Sequence, residues 1–301
     1  MPGSTPQPAP TAEKEPPAPA SAEPHWRRDL AALRAELDRI DDELHDLLMR
    51  RAEVVKQVAG AKNGVALRPG REAAILRRLL ARHEGALPPQ TVVRIWRELL
   101  AGTTAMQGPF VIAVCGRDPD AGFTQAAREQ FGALTPLRVH GSAAQAIADV
   151  SAGRATVAVL ALPSETEAPR DAWWMALLQK DEPRIHVVAR LPFWTRRPEG
   201  APTTQALVVA AIAPDPSGAD RSLLGLELDP NVSRTRLTTA LGSAGLSPGQ
   251  IILRRDPGVP AAHALVEVQG YIADDDPRLA RLGSVLRPPV VLGAFAEGAG
   301  A

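Results

Sequence analysis

A handful of polar residues stands where helical periodicity calls for apolar ones. Leu33, Leu37, Ile40, Leu44, Leu47, Val54 and Val58 recur at spacings of four and three, with Arg51 occupying the place between Leu47 and Val54. The apolar members form the narrow stripe of a bundle or coiled-coil helix. A charge on that stripe must be paired or face a polar cavity; the alternative is that Arg51 snorkels outward beside Arg50. Lys62 follows Arg51 by eleven residues, which returns it to nearly the same face about 16 Å further along. Two later seams continue in the same way. Glu72, with Arg71 beside it, extends Leu76–Leu79 backwards, and Thr103 and Gln107 extend Val93–Trp96–Leu100 forwards.

The elements that must position these groups are three helices. The spacing predicts one from Trp26 to Lys62, a second from Arg71 to His83 and a third from Pro89 to Gln107, separated by NGVALRPG and EGALPP. Short connections make successive helices antiparallel. The end of the first, the start of the second and the end of the third then meet at one end of a bundle. Two cations, an arginine–glutamate pair, a hydroxyl and an amide converge there, a polar and net-positive pocket suited to a small anion. One long helix followed by two short ones cannot bury its own far end, so a symmetric dimer is expected. Arg34 lies about 42 Å from Lys62 along the helix; it reaches the pocket of a dimer partner or is a solvated surface arginine.

The segments LRAELDRIDDELHDLLMRRAEVVKQVAGAK, RPGREAAILRRL and RIWRELLAGTTAMQ resemble, in order and spacing, the helical-bundle class of chorismate mutases from about Asp29 to Gln107. The resemblance implies an intertwined homodimer that converts chorismate to prephenate, with no cofactor and no metal. By position it implies that Arg34 of one subunit and Arg51 of the other grip the two substrate carboxylates. Lys62 and Gln107 flank the ether oxygen, Glu72 receives the ring hydroxyl with Arg71 in support, and Thr103 helps to bind a carboxylate. Arg51, Lys62, Glu72 and Gln107 are thus the expected catalytic set. Arg68 departs from the family, which often carries an acidic residue there.

Such a reaction is a rearrangement within one molecule, in which a C–O bond breaks as a C–C bond forms and no proton changes hands. Arginine forks can hold a flexible dianion in its folded, reactive shape. Donors at Lys62 and Gln107 can stabilise charge growing on the ether oxygen. The six histidines are scattered and no glycine-rich phosphate loop is present.

The whole chain, 301 residues with 34 basic and 34 acidic side chains, is long enough for two or three domains and electrically balanced. Balance argues against a general nucleic-acid or membrane-surface protein. The single Cys115 permits no internal disulfide, and no run of about twenty apolar residues occurs, so a cytoplasmic protein is expected. Residues 1–25, rich in Pro, Ala, Ser and Glu, are expected to be a disordered tail.

After Gly108-Pro109 strands alternate with helical stretches: FVIAVCG, GFTQAAREQFG, SAAQAIADV, ATVAVLAL, DAWWMALLQ, RIHVVARL and TQALVVAAIA. The run APDPSGAD reads as a linker, and Ser222 to Phe295 as strand, helix, strand, strand, helix, strand, a ferredoxin-like unit. The fold expected is therefore multidomain: a dimeric all-α three-helix bundle over 26–107, an α/β domain over 109–214 and an α+β domain over 220–296.

Residues 110–296 resemble a diverged prephenate dehydratase followed by an ACT-like regulatory domain, through ATVAVLALPSE and EVQGYIADDDPRLARL…VLGAF. The dehydratase Thr-Arg-Phe motif is replaced by Thr204-Gln205-Ala206 on the expected strand, with Thr195-Arg196-Arg197 in an exposed loop before it. Pro163-Ser164-Glu165 replaces Glu-Asn-Ser. The amino-acid-binding segments of the ACT family become Pro230-Asn231-Val232-Ser233 and Arg254-Arg255-Asp256-Pro257. The expectation is a mutase with a degenerate C-terminal half that is regulatory or structural, an aromatic amino acid being the candidate effector there. The alternatives are a bifunctional mutase/dehydratase and a non-catalytic dimer that senses an anionic metabolite.

Overall fold

The computed structural model describes residues 25–60, 67–116, 121–283 and 285–300, with side chains from residue 29. The expected tail up to residue 24 and Lys62 lie outside the described residues. The chain forms two compact units that divide after Val54, within the first helix.

That helix, α1 (His25–Gly60), runs for 36 residues. Its seam is open to solvent along its length: Leu33 is 62% exposed, Leu37 60%, Leu44 52% and Leu47 61%. On the polar side Arg39 bridges Glu36 and Glu43, each at 2.6 Å. These exposed pairs sit one turn away in either direction and add only a few tenths of a kcal/mol (about 0.3–0.5) each.

In the second unit α2 (Pro69–Ala81) and α3 (Pro89–Ala105) each begin on a proline. Proline suits a first turn because its missing N–H has no intrahelical partner there and its φ is already helical. Then follow β1 (Ile112–Cys115), α4 (Ala121–Phe131), β2 (Leu137–His140), α5 (Ala143–Ser151), β3 (Val157–Ala161), β4 (His186–Leu191) and β5 (Ala206–Ala210). The chain closes with β6 (Asp220–Leu228), α6 (Arg234–Ser243), β7 (Pro248–Arg254), β8 (Ala262–Gln269) and β9 (Val290–Ala296).

All nine strands join one mixed sheet in the order β2-β1-β3-β5-β4-β9-β6-β8-β7. The β1–β2, β1–β3 and β4–β9 pairs are parallel and the others antiparallel. Strands β3 and β5 are near-continuous apolar runs, and every residue of β5 is buried, as a strand covered on both faces requires. Strands that the sequence assigns to two successive domains are therefore hydrogen-bonded to one another. The join is the pairing of Val187 in β4 with Gly293 in β9. Gly293 has φ +144°, and a Cβ there would lie 2.0 Å from the Val187 carbonyl oxygen, so only glycine permits the approach. The core is continuous across it: Leu160, Val187 and Leu207 share a cluster with Leu223, Leu265 and Phe295.

The last four strands have the order β9-β6-β8-β7 expected of a ferredoxin-like unit. Two helical expectations fail. Between β8 and β9 a single 3-10 turn, Leu279–Arg281, replaces the second helix. Asp276 bonds the backbone and guanidinium of Arg278 instead (2.7–2.9 Å), a local turn that competes with helix. DAWWMALLQ forms 3-10 turns at Pro169–Asp171 and Trp173–Gln179. There the Trp173 indole donates to the Ala161 carbonyl at 3.0 Å and Trp174 to Glu167 at 3.1 Å, which fixes the backbone by tertiary anchors rather than by its own ladder.

No helix among the described residues is long and apolar enough to cross a membrane.

Candidate functional site

Helix α2 carries Arg71 and Glu72 in its first turn and packs in two directions. Ala73 and Leu76 are buried with Val93 of α3 and with Phe193, against which Trp194, Ala296 and Ala299 also pack. Glu72 accepts a hydrogen bond from Arg97 of α3, Nη1 to Oε2 at 3.0 Å, with the two side chains only 12% and 5% exposed. The Arg97 guanidinium also lies 4.9 Å from the Phe193 ring centroid, a cation–π contact. Burial raises the Glu72 pKa, with the Arg97 charge opposing it and the Asp215 charge adding to it. Burial lowers that of Arg97, with Glu72 opposing. Burial thus works against the charged form of each partner and their mutual attraction works for it, the situation in which losing one leaves the other strongly unfavourable.

Arg97 was not among the residues singled out from sequence. It lies four residues after Val93 and three before Leu100, on the same seam, so the signal that marks Arg51 marks Arg97 as well; taking Trp96 as the seam member hid it.

Thr103 is buried, and its hydroxyl donates to its own helix, to the Leu99 carbonyl at 2.9 Å and the Leu100 carbonyl at 3.1 Å. Gln107 is exposed just past the end of α3, and its amide donates to the Thr103 carbonyl at 3.1 Å. Arg71 is exposed. Among the described residues no hydrogen bond joins Glu72 to Thr103 or Gln107. Glu72 and Thr104 instead line a cavity of about 10 Å³ with Phe110 and Phe131, room for one water. In the first unit Arg34 is exposed and Arg51 half-buried on α1.

The first turn of α2 is capped from a distance. Arg68, at the N-cap position, makes no side-chain cap. The Asp215 carboxylate, from the run read as a linker, accepts from the backbone N–H of Gly70 at 3.0 Å and of Arg71 at 3.1 Å, and from Arg68 Nε at 3.1 Å. A Cβ on Gly70 would lie 2.0 Å from the Asp215 carbonyl oxygen. Further along α2, Arg77 donates to Ser217 Oγ at 2.8 Å, to the Ala219 carbonyl at 2.8 Å and to the Glu297 carbonyl at 2.7 Å. The Tyr271 hydroxyl holds the Pro214 carbonyl at 3.0 Å. The segment from 214 to 219 is thus a docked strap rather than a free connection.

A larger cavity of about 690 Å³ lies between α3, α4 and the segment after β4, lined among others by Arg94, Arg97, Phe193 and Trp194. Thr195 and Arg196 are exposed, as expected of a loop. Arg197 is not: it grips Glu129 of α4 with both terminal nitrogens, at 2.6 and 2.7 Å. Of the replaced dehydratase segments, Gln205 accepts from Arg190 at 2.9 Å, and Glu165 accepts from Arg234 and from the Leu253 N–H. Arg255 donates to the Pro230 carbonyl at 2.8 Å and the Val232 carbonyl at 2.7 Å, which ties the two altered amino-acid-binding segments together. Buried Arg254 donates to Asp256 at 2.8 Å and to the Glu167 carbonyl at 3.0 Å. Among the described residues no three His, Cys, Asp or Glu side chains group as metal ligands.

Residues 33–108 match the family model for chorismate mutase type II. The bifunctional chorismate mutase/prephenate dehydratase of Pseudomonas aeruginosa is 29% identical over 173 residues, an alignment covering 52% of this chain and 47% of that protein. The chain therefore spans about half the length of the curated relatives it matches. Among solved structures, one titled as GqqA, a quorum quenching acylase, superposes with a TM-score of 0.48 at 21% identity over 64% of this chain and 97% of its own. The prephenate dehydratase of Streptococcus mutans superposes with a TM-score of 0.47 at 15% identity, over 63% and 98% respectively.

Proposed function

We propose that the N-terminal helical segment, residues 26–107, is a chorismate mutase that rearranges chorismate to prephenate, a step of aromatic amino-acid synthesis. The observation that carries this reading is the match of residues 33–108 to chorismate mutase type II, which takes in most of the three helices and all seven proposed site residues by position. In this reading Arg51 and, from the partner copy, Arg34 fix the two carboxylates of the folded substrate and lower the orientational cost. Lys62 and the Gln107 amide donate to the ether oxygen as it gains charge. Glu72 accepts the ring hydroxyl, Arg71 supports it, and Thr103 assists at a carboxylate. Each is a positioned charge or dipole, and none transfers a proton.

In this reading the catalytic residues come from two copies of the chain, Arg34 from one and Arg51 from the other. The open seam of α1 supports a homodimer in which each long helix covers its copy.

The relative named above is bifunctional, which raises prephenate dehydration as a second activity over 109–214. The bidentate pairing of Arg197 with Glu129 disfavours it, since the arginine nearest in sequence to the expected motif is already engaged by a carboxylate. An aromatic amino-acid effector at 220–296 is the corresponding regulatory reading.

The test is consumption of chorismate by the full chain with prephenate detected directly. Turnover above the spontaneous rate is expected, with loss of at least about 100-fold in Lys62→Ala. Chorismate left untouched refutes the mutase, and unaltered turnover in the variant refutes the role of Lys62. Prephenate converted to phenylpyruvate would establish the second activity.

A further inference from the structure

The structure assigns Asp215, 144 residues beyond Arg71, as a positioning residue for the first turn of α2, and so for the Arg71 and Glu72 pair of the proposed mutase site. The inference rests on the mutase reading for its functional meaning and on independent geometry for the contact itself.

A helix leaves its first N–H groups without intrahelical partners, and a side chain at the N-cap ordinarily satisfies one. Arg68 cannot, because a guanidinium only donates. Asp215 fills that role with both oxygens, one on the Gly70 N–H and one shared by the Arg71 N–H and Arg68 Nε. Its negative charge also lies at the positive end of the helix dipole. The same carboxylate neutralises the cation at 68, the position where the chain departs from the mutase pattern.

Three further features show that the contact is built. Gly70 leaves no side chain in the way, and a Cβ there would collide with the Asp215 backbone. Tyr271 anchors the strap one residue earlier, and Arg77 anchors it two residues later through Ser217. The Asp215 side chain is only 12% exposed.

The consequence is a fixed rotation and register for the turn that presents Arg71 outward and Glu72 towards Arg97. Asp215 acts on the site through that turn and through its charge, which opposes ionisation of Glu72. The C-terminal half is therefore part of the mutase site's support, whatever else it does.

Two variants of the full chain test this. Asp215→Ala removes cap and charge, and kcat/KM for chorismate is expected to fall roughly tenfold, short of the ~10²-fold cost of displacing a positioned group by about 1 Å. Asp215→Asn keeps an acceptor oxygen without the charge. It is expected to retain more activity than Asp215→Ala and to move the acid limb of the kcat/KM profile to lower pH, because Glu72 ionises more easily once the neighbouring charge is gone. A merely structural cap would leave that limb in place. Amide exchange at Gly70 and Arg71 reports the contact without reference to catalysis, and protection there should drop in Asp215→Ala.

Wild-type kcat/KM in folded Asp215→Ala, or an unmoved limb in Asp215→Asn, overturns the positioning role. A wild-type chain inert towards chorismate overturns the mutase reading instead, and amide exchange then decides the contact: unchanged protection overturns it, lost protection upholds it.

Discussion

If Glu72 serves the proposed site, its pairing with Arg97 bears on how that site responds to pH. Its carboxylate is buried, faces one cation and has a second carboxylate nearby, and burial is the largest influence, so its pKa lies above the ordinary glutamate range. An ionised carboxylate is a stronger acceptor for a substrate hydroxyl than a protonated one. The mutase rate is therefore expected to fall, on lowering pH, at a higher pH than a free glutamate would dictate, and to be regained as pH rises through the shifted value. The profile of kcat/KM against pH reads this on the free enzyme. A limb inside the ordinary glutamate range would show that Glu72 is not the acceptor or is not buried in solution. Arg97 cannot be dispensed with on the same grounds: truncating it leaves a buried carboxylate without its partner, a loss on the order of 3–5 kcal/mol.

Among the elements, α2 and β9 carry the connections that make one body of residues 55–301. α2 is clasped by α3 through Glu72, by the strap through Asp215 and Arg77, and by the end of β9 through Ala296 and Glu297. β9 in turn pairs with β6 on one side and β4 on the other. The second pairing depends on Gly293, whose φ of +144° and closeness to Val187 leave no room for a side chain. Gly293→Ala is expected to cost about 2 kcal/mol or more. For a unit of this size that lowers the melting temperature by about 4 °C or more. A variant that melts with the wild type would mean that β4 and β9 separate without consequence, and that the two halves of the sheet are independent.

At the scale of the whole molecule the exposed seam of α1 demands a partner. Leu33, Leu37, Ile40, Leu44, Leu47, Val54 and Val58 are 39–62% exposed on one helical stripe, an arrangement that a second copy can bury through knobs-into-holes packing. If, as proposed, Arg34 acts across a dimer, Arg34→Ala and Arg51→Ala chains should each be nearly inactive as homodimers. Mixed, they should recover part of the activity, since one of the two sites in a heterodimer then contains neither substitution. Confirmed heterodimers with no recovery would mean that Arg34 and Arg51 of the same chain serve one site, and would remove the reason for a shared one.

Much of this was readable in residue order, because it depends on near neighbours. Seams at three and four residues, prolines at helix starts and unbroken apolar strands are local patterns, and they placed α1, α2, α3 and the ferredoxin-like strand order with little error. Glu72, Thr103 and Gln107 were singled out the same way, as polar residues that prolong apolar seams, with Arg71 beside Glu72. The tertiary structure alone decided which distant groups answer one another: Asp215 capping a helix that starts at Pro69, Arg97 stacking on Phe193 while holding Glu72, and Gly293 joining two sets of strands into one sheet. Those choices follow from long-range packing and from the demand that every buried N–H and charge find a partner. Local spacing can announce such a demand, as Arg68 at an N-cap does, but it cannot say which distant residue will meet it.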